Sequence, residues 1–202
     1  MSKETVYPRD NSGATVLRGS LHAEQAFADG IYHVRCIRKV NGKSKVMWRD
    51  TIKNTVTTEG RNLALDTILA GSSYSVTGPY MGLISSVGYS AITAGDTAAQ
   101  IDGANGWAEA GSSTNYPLYT TPRKTCVFSS ASGASKALSA ALSFPIVTTG
   151  GTVKGCFIIY GSGASSTIAN TSGKLWSVGL FTGGDKVVSP GDTLQVSYTA
   201  SM

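Results

Sequence analysis

Groups that do acid–base, nucleophilic or metal chemistry are scarce in this chain. Its 202 residues hold two histidines, His22 and His33, and twelve carboxylates that form no close pair and no metal-like cluster. No G-x-S-x-G nucleophile turn is present, and Gly161-Ser-Gly-Ala-Ser-Ser166 is not followed by the Lys-Ser/Thr ending and helix that a phosphate loop requires. That segment reads as a flexible surface loop. Asp96, Asp102 and Glu109 match no cation-loop spacing and read as ordinary solvated acids. The expectation is a protein without catalytic residues, cofactor, metal or small-molecule substrate. Cysteine is equally sparse: Cys36, Cys126 and Cys156 lie 90 and 30 residues apart, with no CxxC spacing, and read as buried free thiols. No apolar run approaches the ~20 residues of a membrane-crossing helix. The start, MSKETVYPRD, lacks the apolar core of a secretory signal, so a protein made soluble in the cytoplasm is expected.

Glycine is abundant instead, at 24 residues, beside 41% hydrophobic and only 14% charged residues. Such a composition favours short strands joined by many turns over disorder, and the length suits one domain. Residues 1–30 show neither a period of 2 nor of 3.6 and read as an extended N-terminal arm, with Val16, Leu17 and Phe27 as its isolated apolar residues. From Ile31 a single β-rich domain over residues 31–202 is expected. Its first feature is a hairpin over 31–50, in which IYHVRCIRKV and KSKVMWRD flank the turn pair Asn41-Gly42. Residues 35–53 hold Arg35, Arg38, Lys39, Lys43, Lys45, Arg49 and Lys53 against Asp50 alone, a local excess of six positive charges in a chain of net +5.

One helix is predicted near 59–70. Thr57 or Thr58 offers an N-cap, Gly71 a C-terminal stop, and Leu65, Ile68 and Leu69 an apolar face to lay on a sheet. Strands are expected in RKTCVFSS, in ASKALSAALSFPIV with Leu138, Leu142 and Phe144 on one face, and in GTVKGCFIIYG and KLWSVGLF. In the last strand, DTLQVSYTA, Leu194, Val196 and Tyr198 alternate with polar residues. The glycines of Thr182-Gly-Gly-Asp185 and Ser189-Pro-Gly-Asp192 read as corners with positive φ rather than as a ligand loop. The sum is a mainly β fold, an antiparallel sandwich or jelly roll with one short helix.

Two kinds of contact surface stand out. The basic hairpin fits an acidic partner better than nucleic acid, because Tyr32 and Trp48 are its only aromatics for stacking on bases. Trp107, Tyr116 and Tyr119, in a loop-rich stretch over 86–122, are either surface contact residues or core and oligomer contacts.

The order WRDTIKNTVTTEGRNLALDTILAG, then YMGLIS, Trp107 with Glu109, Arg123, Phe128, and a closing GKLWSVGLF with GDTLQVSY resembles small virion structural proteins of tailed bacteriophages over residues 48–199. The resemblance implies a non-enzymatic particle component, present in many copies and located in the virion. Within that class a capsid decoration or cement protein is expected. It would bind the major capsid protein and copies of itself, with Val16, Leu17, Phe27, Arg35, Arg38, Lys39, Lys43, Lys45 and Arg49 as partner contacts. The alternative is a tail or head-fibre component whose sandwich binds a receptor or carbohydrate. No membrane association is implied.

Overall fold

The computed structural model describes residues 28–69, 76–85, 92–101, 106–120 and 122–202. The strands are β1 (Asp29–Val40), β2 (Lys43–Lys53) and β3 (Thr55–Val56) before helix α1 (Thr58–Leu69), and β4 (Tyr80–Ser85) after it. They continue with β5 (Lys124–Thr125), β6 (Ser135–Ala137), β7 (Leu142–Pro145), β8 (Gly151–Tyr160), β9 (Lys174–Leu180), β10 (Lys186–Val188) and β11 (Asp192–Ser201). All pairings between these strands are antiparallel, in two sheets. The first has the order β2-β1-β11-β6, with β7 also on β11; the second runs β3-β9-β8-β4-β5, with β10 also on β8.

The two sheets face each other across one core. Tyr32, Val34 and Cys36 of β1 and Leu194, Val196 and Tyr198 of β11 meet Met81 and Leu83 of β4 and Cys156 and Ile158 of β8. The alternation expected for residues 193–199 is therefore the inward row of a strand with one wet face. The second sheet is buried on both faces. Phe157 and Ile159 of β8 point away from the first sheet into a smaller core with Ile84, Ile101, Trp107, Leu175 and Val178. Its near-continuous apolar run Cys156–Ile159 is the pattern of a strand covered on both sides.

The fold class is the one the sequence indicates, and several details differ. Residues 1–27 lie outside the described residues, and with them Val16, Leu17 and Phe27 of the expected arm. Asp29 and Gly30, assigned to the arm, are the first residues of β1, paired with Ser201 and Ala200. The hairpin accordingly extends over 29–53. Asn41 (φ 51°) and Gly42 (φ 75°) both take the left-handed backbone that a two-residue hairpin turn demands. Of RKTCVFSS only Lys124 and Thr125 form a strand, while Phe128 makes an isolated bridge to Leu138.

Helix α1 begins as predicted, with the Thr57 hydroxyl accepting the Gly60 amide at 3.0 Å. Its expected stop, Gly71, lies outside the described residues. The packing face is not the expected one: Leu65, Ile68 and Leu69 are 55–75% exposed, and the buried residues are Gly60 and Leu63. Gly60 decides this, because its missing side chain lets the first turn sit on β9; a Cβ there would stand 2.7 Å from the Trp176 carbonyl oxygen. The helix is anchored at its N-terminal turn, and its apolar C-terminal residues stay in solvent.

The corners before β11 read correctly in outline. Gly184 (φ 75°) and Gly191 (φ 86°) hold left-handed turns. Gly183 is needed for a different reason, since a Cβ there would lie 2.7 Å from Lys186 Nζ and 2.9 Å from Asp50 Oδ2. The Asp50 carboxylate accepts the Gly183 amide at 3.0 Å and the Thr182 amide at 3.2 Å. The turn's donors are thus already satisfied from within the chain.

Candidate partner-binding face

β1 and β2 are long strands joined outside the sandwich: β1 runs out of it to Val40, and β2 runs back into it from Lys43. The pairing of β1 with β11 stops at Arg38 opposite Asp192, while β1 and β2 continue to pair with each other through Lys39–Ser44 and Val40–Lys43. The tip, residues 39–46, has no β11 backbone beside it. A bulge between Cys36 and Ile37 leaves Met47 as the extra residue of β2 and re-aims the side chains beyond it. Val40, Val46 and Met47 are exposed there, interleaved with Lys39, Lys43 and Lys45. The register sets Ile37, Lys39, Ser44 and Val46 on one face of this ribbon and Arg38, Val40, Lys43 and Lys45 on the other, so each face mixes apolar and cationic side chains.

The hairpin's charges divide into two kinds. Arg38 is committed internally: its Nε and an Nη donate to the two Asp192 oxygens at 2.6 and 2.8 Å, a bidentate pair. Asp192 is buried, and hydrogen bonding from Arg38, reinforced by the Ser189 amide, holds its carboxyl below the usual carboxylate range against the opposing effect of burial. Cys36 beneath it is pushed up to about 12, first by burial and then by Asp192. Asp50, the lone acid among the hairpin cations, neutralises none of them. Burial acts to raise its pKa, but Lys186 and the Gly183 and Thr51 amides bring it below its ordinary value. Among the described residues no ion pair involves Arg35, Lys39, Lys43, Lys45, Arg49 or Lys53. Arg38 is thus engaged by a carboxylate of its own chain while 38% exposed, and the other hairpin cations have no such carboxylate among the described residues.

The Arg38–Asp192 pair sets a pH dependence. A carboxyl whose folded pKa is depressed adds stability that is complete above its unfolded pKa, about 4, and disappears as pH falls through the folded value. Asp192→Asn is expected to lower the unfolding temperature at pH 7, with the gap from the parent closing as pH falls below about 4. Thermal unfolding of both proteins across pH checks this, and a gap that does not change with pH refutes it.

The loop aromatics do not form a second contact surface. Trp107 is 1% exposed and Tyr119 2%, each in a core and each against a phenylalanine ring, Phe157 and Phe144 respectively. Tyr116 alone is exposed, at 39%. Trp107 covers the outer face of the second sheet, while Tyr119 joins the core between the two sheets. Of the hairpin aromatics, Tyr32 is buried and Trp48 stands edge-on to Phe181 at 5.6 Å, so neither offers a free platform for bases.

Sequence reasoning missed the polar centre beneath those loops. Glu109 and Arg123 form a bidentate pair at 2.8 and 2.6 Å with both side chains fully buried. Arg123 also donates to the Ser165 and Asn170 carbonyls at 3.1 and 2.8 Å, and Glu109 accepts the Ala169 amide at 2.8 Å. Glu109 is thus no solvated loop acid, and 161–166 is no free surface loop. Asp96 is buried too, capping Thr93; Asp102 lies outside the described residues. The pair is saturated by its own chain and closed to solvent, which suits holding loops together and leaves no site for a substrate.

The cysteines are free and buried as expected, and burial raises all three thiols. Among the described residues no three His, Cys, Asp or Glu side chains gather as a metal site. A groove of about 520 Å³ opens between the sheets beside α1, lined by Ile68, Pro79, Phe128, Tyr160, Trp176 and Tyr198. Its tyrosine hydroxyls are engaged, Tyr198 by Trp176 Nε1 at 2.9 Å and Tyr160 by the Gly60 carbonyl at 3.2 Å. Comparison with protein-family models, curated proteins and solved structures finds no match.

Proposed function

We propose that this chain is a non-enzymatic structural protein of a tailed-bacteriophage virion, a decoration or cement protein that binds the shell of major capsid protein. The observation that carries the reading is the end of the hairpin, in which the exposed Val40, Val46 and Met47 are interleaved with Lys39, Lys43 and Lys45. Exposed apolar side chains among cations suit a protein interface, the apolar groups contributing affinity and the charges steering and register. The segment before β1, with Val16, Leu17 and Phe27, adds contact area to neighbouring subunits, including other copies of the chain. The sequence resemblance over residues 48–199 supports the virion setting. The fibre alternative rested on three exposed aromatics, and only Tyr116 remains exposed.

Replacing Lys39, Lys43 and Lys45 together by Glu is expected to cut occupancy on purified empty capsids by about tenfold or more at low salt. The deficit should narrow near 1 M salt, where the screening length is about 3 Å. These three lysines are exposed, so the variant should retain the parent's unfolding temperature. Equal occupancy of parent and variant refutes the docking face. Copy number in particles tests location: copies in proportion to the major capsid protein support the shell, and a few copies per particle overturn it.

A further inference from the structure

The solvent face of the first sheet, below the tip, carries an arrangement with no internal explanation. Its register sets Arg49 of β2, Arg35 of β1 and Gln195 of β11 side by side, and two residues along each strand the next row is Thr51, His33 and Ser197. Two guanidinium groups directly opposite each other on an antiparallel pair repel, and such a pairing is ordinarily destabilising. Arg35 Nε donates to Gln195 Oε1 at 2.8 Å, which orients the guanidinium without neutralising it. The nearest acid along the strand, Asp50, has its carboxylate on the far side, engaged by the Thr182 and Gly183 amides and Lys186. His33 Nδ1 and the Thr51 hydroxyl are hydrogen-bonded to each other at 3.2 Å.

These residues, together with Val34, Asp50 and Ala141, line a cup of about 290 Å³. That is at or below the smallest clefts that hold cofactors or drug-sized ligands, about 300–1,000 Å³, and is the scale of a side-chain group. Its donors are two planar forks, suited to two-point contact with a planar anion, with the Ser197 hydroxyl beside them.

We propose that Arg35 and Arg49 seat an aspartate or glutamate carboxylate of the acidic protein partner, oriented by Gln195, with His33 and Ser197 as the far wall. The inference rests on the partner reading above and gives it a fixed point. The lysine tip supplies charge without geometry, whereas a carboxylate between two guanidinium forks sets register.

The test uses the full chain, with the Nε–Hε signals of its arginines followed by NMR. A Glu-rich decapeptide and inorganic phosphate serve as probes at matched ionic strength. The peptide is expected to shift the Arg35 and Arg49 signals saturably, with the response lost in Arg49→Gln and weakened about fivefold or more in Arg49→Lys, which keeps the charge and loses the fork. Shifts spread evenly over all arginines, or saturation by phosphate but not by peptide, overturn the proposal. In dilute salt without probe, Arg49→Gln should raise the unfolding temperature by about 1–3 °C by removing the repulsion. An unchanged or lower temperature overturns it too. Saturable peptide binding by a chain that leaves capsids bare would sink the virion reading and keep the carboxylate seat.

Discussion

Glu109→Ala is expected to destabilise the protein by about 3–5 kcal/mol, lowering the unfolding temperature by roughly 10 °C or more. The substitution leaves the Arg123 guanidinium fully buried with only the Ser165 and Asn170 carbonyls as partners. An uncompensated buried charge is far costlier than an exposed one. It also takes away the acceptor of the Ala169 amide, so the 165–170 loop loses contact with the 108–110 segment, which runs along β4 through hydrogen bonds of Ser85 and Ala110. Amide exchange should therefore rise most at 165–170. Glu109→Gln keeps shape and one acceptor and should cost less. The pair Glu109→Leu with Arg123→Met should recover part of the loss, because removing both charges removes the desolvation penalty with them. A fall of less than about 2 °C for Glu109→Ala would show that solvent reaches Arg123 and that the loops are held by other contacts.

Phe157→Ala is expected to cost about 3–5 kcal/mol, through lost apolar burial and the cavity left behind. Phe157 is fully buried on the outer face of β8, where its ring meets Trp107 at 5.0 Å and lies under the Arg123 guanidinium at 5.3 Å. Gly82 of β4 is part of the same arrangement: a Cβ there would stand 2.4 Å from the Phe157 ring and 2.7 Å from Glu109 Oε1. The ring thus fills the space between the sheet and the loop ion pair, and its loss slackens both. Phe157→Leu, which keeps most of the volume, should cost about half as much or less. Because Phe157 and Arg123 touch, the double variant Phe157→Ala with Glu109→Ala should be less destabilised than the sum of the singles. Chemical denaturation of the four proteins checks this, and strict additivity would place the two effects in separate parts of the structure.

Local rules carried the strands and corners. The alternation over 193–199, the turn at Asn41-Gly42 and the cap at Thr57 each depend on residues next to one another, and each appears as expected. The cation excess of the hairpin was equally plain, being a count over nineteen consecutive residues. Which of those cations are free was not, because Arg38 finds its carboxylate 154 residues away. The same limit hid the Glu109–Arg123 pair: Glu109 read as a solvated loop acid, and Arg123 stood only as a landmark of a resemblance.

Helix α1 shows the reverse case. Its apolar spacing at Leu65, Ile68 and Leu69 pointed to a packed face, but Gly60 fixed the docking through its close approach to β9, and that approach exists only once β9 is in place.

The sequence by itself determined a β-rich sandwich with one helix and a charged hairpin, because period, turn chemistry and charge are properties of neighbouring residues. Only the tertiary structure decided which side of each loop is inside. A second sheet covered on both faces drew Trp107, Glu109 and Arg123 into the interior, and the core between the sheets took Tyr119. The register of β1 with β2 and β11 set Arg35 beside Arg49 and gave Arg38 to Asp192. Those outcomes depend on pairings between distant strands, where burial raises the cost of an unpaired charge and selects the partner that removes it.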